Sequence, residues 1–206
     1  SYIYDMINNI PTSSHPSQLE LETVFEDAAL AGDSVLGVFI SSELSGTYDG
    51  AVRAARAVKA RNIDFTYVII DSSSCGYDEA WPVFDAVDAR DAGEDLAGCA
   101  ASVLEAIERT RFLFTPESLT FLQKGGRIGN AAALVGNLVQ IAPVLTVKDG
   151  KATTAAKVRT RKRALNKIVD MLKADIEQSG LKRIMVHYIG DAQPAHEWAK
   201  AVIEPL

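Results

Sequence analysis

Three polar segments of this chain carry residue types that could do chemistry. Pro11-Thr12-Ser13-Ser14-His15-Pro16-Ser17 sets four hydroxyls and a histidine just ahead of a helix start. Ser41-Ser42-Glu43-Leu44-Ser45-Gly46-Thr47-Tyr48 sets four more hydroxyls and a glycine between an apolar run and a helical pattern. Lys124-Gly125-Gly126-Arg127-Ile128-Gly129 sets glycines beside two cations. Hydroxyls and the unpaired N–H groups of a helix start can donate to an anion. An arginine fork fits a carboxylate or phosphate, and glycine lets backbone approach a ligand closely. Each segment also has a plainer use. Ser and Thr cap helices, Ser17 with Glu20 makes a capping-box pattern, and Gly125-Gly126 can end a helix.

Catalytic sets are harder to assemble. Ser45 lacks the Gly-x-Ser-x-Gly elbow, and the Gly125-Gly126 loop lacks the spacing and Gly-Lys-Ser/Thr ending of a P-loop. The histidines are His15, His187 and His196. His187 lies in an apolar run and reads as a packed core residue, and His196 as a solvated one on the last helix. Cys75 in a loop reads as a plain thiol. No spacing of His, Cys or carboxylates suggests a metal site or a disulfide framework, so no metal and no cofactor are expected.

The elements that must position these segments alternate in the first half. Runs 35–40 (VLGVFI) and 65–70 (FTYVII) read as buried strands, and 17–31, 49–60, 78–90 and 95–111 as helices. Strands followed by helices predict a parallel sheet covered on both faces, whose strand-to-helix turns are ligand sites. The second half differs. A strand over 111–115, a short helix after Pro116, an apolar helix over 131–141, and a hairpin of 143–148 and 151–157 around Asp149-Gly150 are expected. A helix over 161–178, a strand over 183–189 and a helix over 192–203 follow. The chain thus divides near Arg111 into a parallel α/β lobe (1–110) and an α+β lobe (111–206) with its hairpin near 143–157.

Composition bounds the function. The 206 residues carry a formal charge of −6 and a pI near 5.1, against nucleic-acid or anionic-membrane binding. No apolar run approaches the ~20 residues of a spanning helix, and no leader is visible, so a cytoplasmic protein is expected.

Taken in order, the motifs add up to more than any one of them. The segments 12–17 and 41–48, Ile70-Asp71-Ser72, 121–129 (FLQKGGRIG), 141–145 (IAPVL), Asp149-Gly150 and Lys157-Val158-Arg159 resemble the DegV family over nearly the whole chain. The resemblance implies a bacterial fatty-acid-binding protein of two lobes with the ligand between them. It implies a carrier, not an enzyme, that presents the bound carboxylate to a fatty acid kinase for acyl-phosphate formation in phospholipid synthesis. Carried over by motif, the fatty-acid-binding residues are Thr12, Ser13, Ser45, Gly46, Thr47, Gly126 and Arg127. In this assignment Thr47 caps the helix while Ser45 points to the ligand. Family members carry an extra strand before the region matching Ser1 and a His-containing segment after Leu206, so truncation at both ends is expected. His15 stands where glutamine is usual in the family. The alternative reading is a phosphoryl-transfer or phosphometabolite-binding protein related to dihydroxyacetone kinase, for which His15 would be the phosphorylated residue.

Overall fold

Strand alternation explains the first half of the molecule. In the computed structural model, which describes residues 10–135 and 141–206, β1 (Val35–Phe39) and β2 (Tyr67–Asp71) pair in parallel with Val35 opposite Tyr67. Side chains alternate in direction along a strand, so each strand feeds two cores. Val35, Phe39, Tyr67 and Ile69 pack on one face with Phe25 of α1 (Gln18–Ala31) and the Ala51, Ala54, Ala55 and Val58 stripe of α2 (Thr47–Arg61). Leu36, Val38, Val68 and Ile70 pack on the other, against Ala86 of α3 (Tyr77–Asp91) and Val103 of α4 (Leu96–Arg109). Both faces are covered, as the continuous apolar runs require.

The helix boundaries follow local chemistry. Ser17 and Glu20 form the reciprocal capping box expected of them, with Ser17 N–H donating to Glu20 Oε2 at 2.7 Å. Gly32 ends α1 in the left-handed region at φ +78°. Asp95 caps α4 by accepting from Gly98 N–H.

A separate antiparallel sheet organises the second half, in the order β3 (Leu113–Phe114), β4 (Ala142–Lys148), β5 (Lys151–Val158). Asp149 and Gly150 turn the hairpin with φ of +51° and +76°. Two successive positive φ values match the twist of the strands that they join. Beneath lies a core of Leu119, Ala131, Leu134 and Leu145. The segment between β3 and β4 contributes α5 (Thr120–Lys124) and a 3₁₀ turn, Gly129–Leu134. Thr160 caps the long α6 (Arg161–Ser179), and α7 (Gln193–Trp198) runs into a wider π turn, Ala199–Ile203.

Three expectations differ from this structure. The helix expected over 131–141 ends at Leu134, because Val135 is extended (ψ 127°), and 136–140 lie outside the described residues, as do 1–9. The strand expected over 111–115 shrinks to two residues. The segment 183–189 is not a strand, since no described strand pairs with it and β-rich sequence forms a ladder only with a partner. It is tied down by side chains instead. Arg183 binds Asp85 and Asp88 and lies 5.6 Å over the Trp81 ring, while Lys182 also reaches Asp85 at 2.9 Å. His187 is therefore exposed rather than a core residue, with its ring edge-on to Tyr77 and Phe112.

Candidate functional site

The turn after β1 is built around Ser41, which is fully buried. Its N–H donates to Ser74 O at 2.9 Å, and its carbonyl accepts from Leu44 and Ser45 N–H. Its hydroxyl donates to the Gly150 carbonyl at 2.9 Å and accepts from Glu43 N–H at 3.1 Å. The turn is thereby pinned to the β4–β5 hairpin of the other sheet. Glu43 and Lys151 add an exposed ion pair at 3.2 Å across the same junction. Gly150 is needed at this approach, since a Cβ there would stand 2.5 Å from Ser41 Oγ.

Ser45 follows. Its hydroxyl accepts from Thr47 N–H at 3.3 Å and bonds the Thr47 hydroxyl at 2.8 Å. The division of labour expected here is reversed in part. Gly46 is the N-cap and lacks a side-chain cap bond, so Ser45 satisfies the first turn of α2 while Thr47 lies within it. Ser45 keeps its second role too, because it lines a cavity of about 330 Å³ between the two sheets.

That cavity gathers residues from segments far apart in sequence. Its polar wall holds Ser13, Ser45, Cys75 and Arg127. Its apolar wall includes Ile40 and Leu44 from the first half and Phe112, Phe114, Leu122 and Val147 from the second. Phe112 and Phe114 stack with ring centroids 5.1 Å apart. Arg127 bridges the two halves, its Nε donating to Leu44 O at 3.2 Å and one terminal nitrogen to Gly125 O at 2.6 Å. Gly126, at φ +71°, makes the turn that precedes it. Of the residues singled out from sequence, Ser13, Ser45 and Arg127 share this wall. Thr12, Gly46, Thr47 and Gly126 are not on it, and Thr12 is exposed.

The turn after β2 adds groups that the sequence did not single out as functional. Burial pushes the Asp78 carboxyl up to about 6, although Ser74 Oγ donates to it at 2.9 Å. Burial likewise raises Glu79, with a bond from the Ile40 backbone offsetting part of the effect. The Cys75 thiol is pushed up to about 11, first by burial and then by Asp78 and Glu79 nearby. Cys75 is thus a neutral thiol on the cavity wall at ordinary pH. The Asp71-Ser72-Ser73-Ser74-Cys75-Gly76 run was the available signal, but burial of Asp78 is a tertiary property. A smaller cavity of about 120 Å³, lined by Ser72, Ser74, Asp78 and Thr110 among others, lies beside this turn.

Chemically the larger cavity can hold an apolar chain ending in an anion. A carboxylate leaving water needs donors to stay charged, and Ser13, Ser45 and Arg127 offer hydroxyl and guanidinium hydrogens. Among the described residues no group of three His, Cys, Asp or Glu side chains is arranged to hold a metal ion. No described helix is long and apolar enough to cross a membrane.

Comparison with known proteins agrees with this architecture. A DegV domain-containing protein of Clostridium acetobutylicum is 39% identical over 201 residues, covering 97% of this chain and 70% of its own length. One from Clostridium perfringens is 37% identical over 199 residues, with the same coverage. Among solved structures, a DegV family protein from Thermus thermophilus, described by its fatty acid binding, superposes with a TM-score of 0.74 at 30% identity. That match covers 85% of this chain and 62% of the other. A stearic-acid-binding protein from Eubacterium ventriosum shares the fold at TM-score 0.83 and 24% identity, covering 98% of this chain and 70% of its own. A family model described as an uncharacterised protein of the DegV family matches residues 1–205. The mixed α/β fold, the relatives and the family model coincide, and this chain belongs to the DegV family.

Proposed function

We propose that the chain binds a long-chain fatty acid as a carrier, its carboxylate among Ser13, Ser45 and Arg127 and its tail along the apolar wall. The observation that carries the reading is one cavity whose polar wall gathers three separated motifs while Phe112, Phe114, Leu122 and Ile40 line the rest. Solved relatives described as fatty-acid-binding support the ligand class. Gly46 and Thr47 support the wall next to Ser45 and Gly126 turns the chain into Arg127, while Thr12 is exposed outside the lining.

The energetics fit a split of duties. Each hydrogen bond to the charged head contributes about 1.5–3 kcal/mol. Each buried CH₂ of the tail contributes about 0.8 kcal/mol, so the tail supplies most of the affinity and the head supplies orientation. A carboxylate held charged at the cavity mouth is a competent nucleophile toward a phosphoryl group. This is what a carrier must offer to a fatty acid kinase in the cytoplasm, itself a partner inferred from the family resemblance.

Native mass spectrometry of protein purified from bacteria tests the ligand class directly, through a co-purified mass matching a fatty acid. Ser45→Ala then tests the division of duties. It should weaken kinase-dependent acyl-phosphate formation more than lipid capture. Acyl-phosphate formation at the wild-type rate would show that Ser45 does not hold the head group.

A further inference from the structure

We propose that His15 is an additional head-group residue whose protonated imidazole, seated along Gly46, pairs with the bound carboxylate and makes binding pH-dependent. The inference rests on the fatty-acid reading of the cavity. His15 is an exposed residue just outside the cavity lining: it stands two residues from Ser13, which lines the cavity, and its ring lies against Gly46, the chain neighbour of the lining residue Ser45. The contact is close, since a Cβ at Gly46 would fall 2.9 Å from His15 Cδ2 and 3.3 Å from Nε2. The ring edge bearing Nε2 therefore runs along the N-cap of α2, whose positive end favours an anion beside it and opposes an unpaired cation.

The tautomer follows from one bond. His15 Nδ1 lies 2.7 Å from the Pro16 carbonyl, which can only accept, so Nδ1 carries the hydrogen. Nε2 is then the basic nitrogen. Neutral, it can only accept and offers nothing to a carboxylate. Protonated, it donates a charge-assisted hydrogen bond. Histidine is the side chain whose charge ordinarily changes between about pH 5 and 8.

The charged groups on the surrounding elements do not replace it. Glu20 at the start of α1 is bound to Ser17 N–H, and Asp49 in the first turn of α2 is exposed. Arg127 from the second half is engaged with the Leu44 and Gly125 carbonyls, so part of its donor capacity is already committed. A second cation beside Gly46 would add a donor for the anion.

The test measures binding of the fluorescent fatty acid cis-parinaric acid from pH 5.5 to 8 with the wild type, His15→Gln and Gly46→Ala. Titration of the free fatty acid is common to all three and cancels in Kd ratios. The His15→Gln to wild-type Kd ratio should rise about tenfold between pH 8 and pH 5.5, as one charge-assisted hydrogen bond implies. Gly46→Ala keeps the charge but evicts the ring, and should also flatten the pH dependence. Reciprocally, saturating ligand should raise the His15 titration midpoint followed by NMR in the wild type. Parallel curves for wild type and His15→Gln, or a midpoint that ligand leaves unmoved, would overturn the role of His15 while leaving the carrier reading intact. Absence of wild-type binding at every pH would instead overturn the carrier reading.

Discussion

Replacing Ser41 by alanine should cost more stability than its position in a loop suggests. The side chain is fully buried, and its hydroxyl serves two partners at once. One is the Gly150 carbonyl in the opposite sheet, and Gly150 is itself buried. The other is Glu43 N–H, which belongs to an exposed residue and can turn to water. The carbonyl therefore dominates, and leaving it without a donor costs about 1–3 kcal/mol. With a urea dependence of about 2 kcal/mol per molar, the midpoint should fall by roughly 1 M. The neighbouring exposed pair, Glu43 with Lys151, provides the yardstick, because such pairs contribute about 0–1 kcal/mol. Equilibrium urea unfolding of Ser41→Ala and Glu43→Gln, with the slope checked for constancy, measures both. A Ser41→Ala cost no larger than that of Glu43→Gln would refute the claim that the buried hydroxyl holds the two halves together.

The turn after β2 gives two further expectations. The Asp78 carboxyl titrates at about 6 in the folded chain against 3.8 ordinarily, so folding favours its protonated form. Its contribution is most favourable below about pH 3.8 and is lost as pH rises through about 6, so Asp78→Asn should stabilise at pH 8 and change nothing near pH 4. The shift would correspond to about 3 kcal/mol, discounted to about 1–2 kcal/mol for partial solvent access, readable as a pH-dependent difference in Tm. Cys75, pushed up to about 11, should react with iodoacetamide far more slowly at pH 7.5 than free cysteine does. Alkylation at the rate of free cysteine would show that the thiol is not buried as described.

Much of the fold was legible where local chemistry decides it. The Ser17–Glu20 box, the Gly32 stop and the Asp149-Gly150 hairpin each rest on a backbone requirement that a few residues satisfy. The two-sided packing of β1 and β2 likewise follows from two short apolar runs. Residues 183–189 mislead because strand formation depends on a partner that propensity does not reveal, and here Asp85, Asp88 and Trp81 hold the segment instead. For the candidate site, residue type marked the three segments, and the family resemblance singled out Ser13, Ser45 and Arg127 within them. The stacked Phe112 and Phe114, the buried Asp78 and the two-sided bonding of Ser41 could not, since each depends on what folding brings opposite it.

The junction around Ser41 and Gly150 acts as a keystone. Ser45 and Leu44 reach the cavity from one side of it, Arg127 and Phe114 from the other, and neither half alone encloses the space. A molecule lodged there would mortar the two halves together, so cargo and scaffold would stabilise one another. On the proposed reading, emptying the cavity and loosening the junction would be a single event, centred on a few atoms of one tight turn.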